Sequence, residues 1–502
     1  MNVRAAAHRW LVGAGFALLA TLLLFGLRTL AAGIVAMQLH DAANRQSALI
    51  ARGQPLWRWR LRQPHDLVAG RAFGAADVRP VDGGLRITSR DGTPFELGLP
   101  VRGMLDPGHW PLLSLQGAAT APFRLGVAWQ PRLDQPGCDG WKSGSEAAGP
   151  MHLVLDLRQL HWRTVGGGDC AAPQRIAMLR LRFVMPAHAS LRLDEVALRS
   201  DAPLNVPAQP ALQLSSDPSV AARQLTAASL PAAPWIALPA NASAEDQLAL
   251  RSLIWRQRPG ALIVPQGDAP IPAGNSSDRG GLPWMGATAY LLVLLALGRY
   301  LPRLPGRHWL ELAACLAGPL WLVAGLQLGL RLSLPDILVF CGAVLFAVHA
   351  ERRQPAANWR WFGDWRTWLW PFALLPVALL LVARFGHPLA EPTPGHALTY
   401  LAWALLQQWL MLAVVLRRLE CSRLPPALAV LFTALAFALM HTPNGALMQL
   451  CLLAELWWAW CFRRSRALLP AAMAHAACAL LAEAGLAGGL LRSLEVSARF
   501  FL

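Results

Sequence analysis

Lysine is almost absent from this sequence, and carboxylates are few. Lys142 is the single lysine, and 29 Asp and Glu stand against 45 Lys and Arg, for a formal net charge of +16. In a soluble chain this excess would suggest nucleic-acid binding. Here the arginines cluster at the ends of apolar runs, where they orient membrane helices, so no nucleic-acid partner is predicted. The use of arginine in place of lysine is typical of a GC-rich coding sequence and favours a bacterial source.

Charged residues of either sign are scarce, at 15% of the chain, whereas 55% of it is hydrophobic and the mean hydropathy is +0.36. This composition excludes an ordinary soluble protein, and 502 residues leave room for two or three domains. The apolar residues are gathered rather than spread evenly. Residues 38–282 are ordinary and polar, and we interpret the later apolar runs as about eight membrane helices, near 284–301, 309–330, 336–350, 368–383, 397–416, 425–441, 446–462 and 468–491.

The N-terminal apolar run, from Trp10 to Leu27 and onward to about Met37, is longer than the core of a signal peptide. It predicts an uncleaved anchor whose N-terminus lies inside. Arginine clusters then fall on every loop predicted to be cytoplasmic, as the positive-inside rule requires, at 299–307, 352–366, 417–423 and 463–466. The sequence thus predicts a bacterial inner-membrane protein, embedded in the lipid bilayer, with residues 40–282 on the periplasmic side.

Cysteines with metal-ligand spacing are lacking. Six of the eight lie in or beside apolar runs, and only Cys138 and Cys170 fall in the polar region. An isolated pair in an oxidising compartment predicts one disulfide, whereas two free thiols would be expected if this region faced the cytosol.

The polar region shows the alternation of short β-strands between about 67 and 200. Leu179, Leu181 and Phe183 alternate with arginines, and turns such as Asp91-Gly92 separate such segments. This pattern is typical of a β-sandwich. The segment 190–196, Ser-Leu-Arg-Leu-Asp-Glu-Val, resembles the last strand of jelly-roll, galactose-binding-like modules, so a glycan ligand and a protein ligand are both open for this domain.

The predicted domains are therefore an anchor at 1–39, an extracytoplasmic all-β, jelly-roll-like sandwich at 40–202, a linker at 203–282, and a membrane all-α bundle at 283–502. The linker is rich in Pro, Ala and Ser, and one small ordered element, a helix, is expected after Ser243, with Asp246 completing a capping box.

Polar side chains inside a bilayer are costly and often mark function. The last four spans contain several of them, namely Gln407, Gln408, His441, Glu455, His475 and Glu483. At about 1.5 Å of rise per residue, Gln408, Glu455 and His475 reach similar depths, and His441 lies nearer the outer end of its span. Hydrogen bonding between helices is the structural alternative to a site.

Three motifs in this part of the chain follow one another in a fixed order. Residues 437–441 have the form F-x-x-x-H, and residues 463–479, RRSRALLPAAMAHAACA, are similar to a basic turn followed by an H-A-x-x-N helix. Gln407-Gln408 stands where E-E-x-x-x-R would be expected. Over 365–490 the chain resembles the CAAX-protease and bacteriocin-processing family of intramembrane glutamic endopeptidases, known as CPBP or ABI proteins.

The resemblance implies a hydrolase in which the first motif activates water while the histidines and the final asparagine orient it and stabilise the oxyanion. It places Gln407, Gln408, His441 and His475 at catalytic positions. The sequence departs from the family because both glutamates are Gln, Leu412 replaces the arginine, and Ala479 replaces the final asparagine.

Three outcomes follow from these departures. A histidine could act as the base while Gln408 positions water, Glu455 could supply the missing carboxylate, or the chain binds a membrane segment without cutting it. No cofactor is predicted, and no metal either, since His441 and His475 lack the H-E-x-x-H spacing.

Two functions therefore compete. One is a CPBP-like intramembrane protease acting on membrane-associated or exported peptides and proteins. The other is a non-catalytic membrane scaffold whose sandwich binds glycan or protein in envelope or exopolysaccharide assembly. A transporter is less favoured because the sequence shows no internal repeat.

Overall fold

The structure, a computed structural model, describes residues 3–101, 103–164, 166–265, 267–270, 282–300, 307–325, 334–353, 359–389, 392–487 and 491. Two compact units divide the chain. A helical unit consists of Met1–Leu39, Asn241–Ala249 and Asn275–Leu502, and a β-rich unit consists of His40–Ala240 and Leu250–Gly274.

Two antiparallel six-stranded sheets build most of the β-rich unit. The first has the order β3-β4-β12-β6-β9, with β1 also paired to β12, and the second has the order β10-β8-β7-β11-β5-β2. The strands are β1 Trp57–Arg60, β2 Ala72–Phe73, β3 Ala76–Val81, β4 Gly84–Ser89, β5 Phe95–Leu99, β6 Leu112–Ala119, β7 Arg124–Gln130, β8 Cys138–Trp141, β9 Gly149–Asp156, β10 Trp162–Thr164, β11 Met178–Val184 and β12 Ser190–Arg199.

Alternation along the strands fills one core shared by both sheets. Leu179, Leu181 and Phe183 of β11 are fully buried, and they join Ile87 of β4 and Leu193 of β12 in a single hydrophobic cluster. The pairing of β12 with β6 shifts between residues 193 and 195, which accounts for the break in the period of two at that point. The β-sandwich predicted from the alternation is confirmed.

Strand β8 and its surroundings contain a disulfide and the single lysine. Cys138 and Cys170 form the predicted disulfide. The single lysine, Lys142, follows β8 directly and its ammonium group pairs with Glu146.

The segment predicted as a linker is more regular than its composition suggests. It forms β13 Leu212–Gln213, α2 Pro218–Ala227, β14 Trp235–Leu238, α3 Ala244–Gln257 and β15 Leu262–Pro265, with the three strands in a parallel sheet. All four residues of β14 are buried, and such strands show no alternation from which they could be predicted. The expected helix after Ser243 is present, and the Ser243 hydroxyl accepts a hydrogen bond from the amide of Asp246.

The helical unit begins with α1, Val3–Ala51, which extends past the predicted anchor. The later helices are α4 Leu282–Tyr300, α5 Arg307–Gly325, α6 Leu334–Arg352, α7 Trp365–Phe372, α8 Leu375–Phe385, α9 Pro394–Gln408, α10 Arg417–Cys421, α11 Pro426–Leu439, α12 Gly445–Ser465 and α13 Leu468–Leu486. A π-helical stretch, Trp409–Leu416, joins α9 to α10. Within the described ranges seven helical segments, α1 included, are long and apolar enough to span a bilayer. The chain is a membrane protein, and the predicted helical membrane region is confirmed.

Two of the eight predicted spans after the anchor are not among these seven. They correspond to α5 and α11. The 14 residues of α11 give about 21 Å of helix, which is shorter than the roughly 30 Å of hydrocarbon.

The arginine pair predicted in the third inner loop lies in helix instead. Arg418 is only 2% exposed, and its Nε and Nη1 donate to Glu311 and Glu351 at 3.0 and 2.9 Å. Arg417 donates to the other oxygen of Glu351 at 2.6 Å. This buried ion cluster neutralises charge that the sequence alone would assign to a loop.

Candidate active site

Three of the predicted site residues meet in the interior of the helical unit. Gln408 ends α9, Glu455 lies in the middle of α12, and His475 lies in the first half of α13. The Gln408 Nε2 donates to Glu455 Oε2 at 2.8 Å and lies 3.4 Å from His475 Nδ1. All three side chains are buried, as the similar depths along their helices led us to expect.

His441 reaches the same region from the loop that follows α11. Its Nδ1 donates to the carbonyl oxygen of Phe437 at 2.8 Å. The phenyl ring of Phe437 contacts both imidazoles, with ring centroids 4.7 Å from His441 and 5.2 Å from His475. Trp458 packs against the other histidine, 5.2 Å from His475. Aromatic rings thus fix the positions of both histidines.

A cavity of about 100 Å³, large enough for several water molecules, lies beside the two histidines. Its wall comes from four helices and the residues next to them, namely Tyr400, Phe437, His441, Leu447, Leu450, Cys451, Ala454, Trp458, His475, Cys478, Ala479, Ala482, Glu483 and Leu491. Most of this wall is apolar. His441 and His475 therefore have access to a space that could hold a substrate group and water.

Gln408 and Glu455 do not line this cavity, so the two residues lie behind His475 rather than at the reacting position. Gln407 is half-buried and belongs neither to the cavity wall nor to the hydrogen-bonded group around Gln408. Ala479 lines the cavity at the position of the family's asparagine, and Leu412 is fully buried within the π-helical stretch.

The hydrogen bonds assign a different tautomer to each neutral histidine. The Phe437 carbonyl can only accept, so Nδ1 of His441 carries the proton and its Nε2 keeps a lone pair. The Gln408 amide nitrogen can only donate, so Nδ1 of His475 accepts and its Nε2 carries the proton. The same amide nitrogen of Gln408 faces both Glu455 Oε2 and His475 Nδ1. One ring can accept a proton and the other can donate a hydrogen bond.

Sequence reasoning named Glu483 among the polar residues of the last spans but did not place it in the site, although it lines the cavity. Glu483 pairs with His396 of α9, at 3.0 Å between Oε2 and Nε2. The signal was available, because Glu483 follows His475 by eight residues, and positions four and eight apart share one face of a helix. Within the described ranges no three His, Cys, Asp or Glu side chains come together in a way that could hold a metal ion.

Comparison with known families identifies the part of the chain that holds this site. A family model described as Rce1-like, type II CAAX prenyl endopeptidase Rce1-like, matches residues 390–481. The match contains the four residues predicted from the motifs and also Glu455, and the predicted resemblance is confirmed at the level of the CPBP family. Glu483 lies two residues beyond it.

Comparison of whole chains adds little to this match. No curated protein matches the sequence. Among solved structures, the chain is similar to the family 11 carbohydrate-binding module from Clostridium thermocellum in complex with a β-1,3-1,4-mixed-linked tetrasaccharide, at 12% identity and a TM-score of 0.21, over 26% of this chain and 84% of that one. A likeness of this size supports no statement about a glycan, and the ligand of the sandwich stays a prediction.

Proposed function

We propose that this chain, whose residues 390–481 match the Rce1-like family model, is an intramembrane endopeptidase in which His441 replaces the family's glutamate as general base. Two imidazoles that share one cavity, held by their hydrogen bonds in opposite tautomers, are the observation that carries the proposal. The proposed substrates are membrane-associated or exported peptides and proteins.

In the proposed reaction, Nε2 of His441 takes a proton from a water molecule while the water oxygen bonds to the carbonyl carbon of a peptide bond. The Nε2–H of His475 donates to the carbonyl oxygen as negative charge develops on it. The proton on His441 then passes to the amide nitrogen, the C–N bond breaks, and a carboxylate and an amine leave. Gln408 and Glu455 act as positioning residues, because they fix the tautomer of His475.

Cleavage assays on the full-length protein in detergent, with a quenched-fluorescence peptide library, test the proposal. His441→Ala and His475→Ala should each lower kcat/KM by about 100-fold or more. His349→Ala, which removes a histidine of α6 outside the cavity, is the matched control and should cleave like the wild type. Wild-type cleavage that survives in His441→Ala would overturn the role of this residue as base.

Exchanging the two members of the amide–carboxylate pair tests the positioning role. Gln408→Glu alone removes the donor to His475 and brings two carboxylates together, so activity should fall. The double variant Gln408→Glu/Glu455→Gln restores an amide–carboxylate bond but still places an acceptor, not a donor, against Nδ1 of His475, so its activity should stay low. A single variant as active as the wild type would show that the tautomer of His475 does not matter.

The departures from the family motifs favour the scaffold as the second candidate function. Gln407 and Gln408 cannot accept a proton from water in the way that glutamates can, and neither Leu412 nor Ala479 can replace the polar groups of the motif. If the wild type binds peptides in the cavity but cleaves none, the chain is a non-catalytic binding protein.

We further propose that the N-terminus lies inside and that residues 40–282 lie outside a bacterial inner membrane. The arginines near residues 299–307, 352–366 and 463–466 and the disulfide of the sandwich support this orientation, whereas Arg417 and Arg418 are paired with glutamates. Phosphatase fusions should be active at position 150 and inactive at positions 358 and 464. Activity at 358 would reverse the proposed orientation of the bundle.

A further inference from the structure

Glu483 takes no part in the proposed hydrolysis, yet it lies in the wall of the same cavity. His396 Nε2 bonds to its Oε2 at 3.0 Å, and the two side chains are 16% and 26% exposed. An acidic group within a membrane-spanning helix is costly unless a donor or a cation faces it. Since His396 contacts only one of the two oxygens, the other can accept a hydrogen bond from a ligand.

The spacing along α13 relates this acid to the histidines. Glu483 lies eight residues after His475, which is roughly 12 Å along a helix. The wall between them is small and apolar, with Ala479 and Ala482 from α13 and Leu450 from α12. The cavity thus offers an imidazole pair at one position, an apolar stretch, and a carboxylate about 12 Å away.

An extended peptide advances by about 3.3–3.6 Å per residue, so three to four residues cover this distance. We infer that Glu483 is a specificity-determining residue that binds a cationic side chain, arginine or lysine, three to four residues from the bond that is cut. The residues between are small or apolar, because they lie against Ala479, Ala482 and Leu450. This inference rests on the proposed peptidase function and names its class of substrate.

The test uses the full-length protein in detergent and two series of synthetic alanine–leucine peptides. In the first series each peptide carries one arginine, whose position moves by one residue from peptide to peptide. In the second series glutamine replaces that arginine. The wild type should prefer an arginine peptide by about 10- to 100-fold in kcat/KM when arginine lies three or four residues from the cut. In Glu483→Gln the ratio of the two kcat/KM values should fall to about one. Glu420→Gln, which removes a glutamate of α10 that bonds to Arg466, is the matched control and should keep the preference.

Reversal of the charge at Glu483 gives an independent test. Glu483→Lys should prefer a peptide with aspartate at the position where the wild type prefers arginine. A preference for arginine that is unchanged in Glu483→Gln, or equal use of both peptides by the wild type, would overturn the inference.

A binding measurement separates the failure of this inference from the failure of the proposed function. Cys451 and Cys478 line the same cavity, so a bound peptide should slow their alkylation by a maleimide. If the wild type cleaves nothing, protection by the arginine peptide that is lost in Glu483→Gln still supports charge recognition and contradicts only the peptidase. Equal protection by both peptides contradicts the charge recognition itself.

Discussion

The sandwich and the helical unit place polar and apolar groups in opposite ways. In the sandwich, Phe183 and Ile87 are fully buried, while Arg180 and Glu96 pair on a partly exposed face of the sheet. In the helical unit, Leu380 is 68% exposed, whereas Glu455 is fully buried.

The difference follows from the two solvents. Water favours apolar burial, and the hydrocarbon of a bilayer favours apolar exposure while it penalises an unpaired polar group. A buried glutamate is uncommon in both units, and in the helical unit Glu455 bonds through Gln408 to the group that includes His475, which lines the cavity. The comparison teaches that buried polar residues, rather than apolar ones, carry the functional information in this part of the chain.

The largest loss of stability is expected when a buried charge is removed. Arg418→Leu removes the cation that bonds Glu311 and leaves Glu351 with Arg417, and the loss of this buried ion pair should lower stability by about 3–5 kcal/mol. The apparent melting temperature in detergent measures this. Arg463→Leu removes a partly exposed partner of Glu420 and serves as the control with a small effect. Equal effects of the two variants would show that burial does not matter here.

Loss of the disulfide should cause the next largest loss of stability. Cys138 and Cys170 are 32 residues apart, and closing a loop of this size is worth roughly 3–4 kcal/mol in the chain-entropy model. Reductant should lower the melting temperature of the wild type and leave that of Cys138→Ala/Cys170→Ala unchanged. Complete alkylation of both thiols without reductant, read by mass spectrometry, would contradict the bond.

A single methyl group should distinguish the two kinds of apolar surface. Ile87→Val in the sandwich core should cost about 0.5–1.5 kcal/mol, because close packing leaves a void that neighbours do not fill. Leu380→Val, on an exposed face of α8, should cost little, because lipid or detergent can occupy the space. Thermal unfolding of the two variants measures the contrast, and a larger loss for Leu380→Val would break the comparison.

The smallest effect is expected from an exposed ion pair of the sandwich. Hydrogen bonds from Arg158 hold the pKa of Asp156 below its usual range. A carboxyl whose pKa is lower when folded stabilises the fold at neutral pH and loses that contribution as the pH falls through its folded pKa. Asp156→Asn should thus lower the melting temperature by a few degrees at pH 7, and the difference should vanish in acid. A difference that grows in acid would have the wrong sign.

Sequence patterns predicted the sandwich and the helical region because each shows one hydrophobic pattern over many residues. Alternation such as Leu179, Leu181 and Phe183 predicted the sandwich, and apolar runs predicted the helices. The meeting of Gln408, Glu455 and His475 followed from their depths alone.

The parts that sequence could not predict depend on local geometry. The π-helical stretch is apolar along its whole length, so nothing in its pattern shows where the helical phase changes after Gln408. For this reason the sequence could not show that Gln408 and Glu455 lie behind His475 instead of in the cavity. The parallel strands near Trp235 escaped prediction because each is short and the central one, β14, is buried at all four positions.

The single lysine makes the molecule unusually simple to label. Lys142 lies in the sandwich, beside Glu146, and its side chain is one-third exposed. An amine-reactive reagent that cannot cross membranes therefore has one side-chain target in the entire chain. Peptide mapping of labelled intact cells would report the location of the sandwich from that one modification, in a protein that carries no engineered tag or fusion.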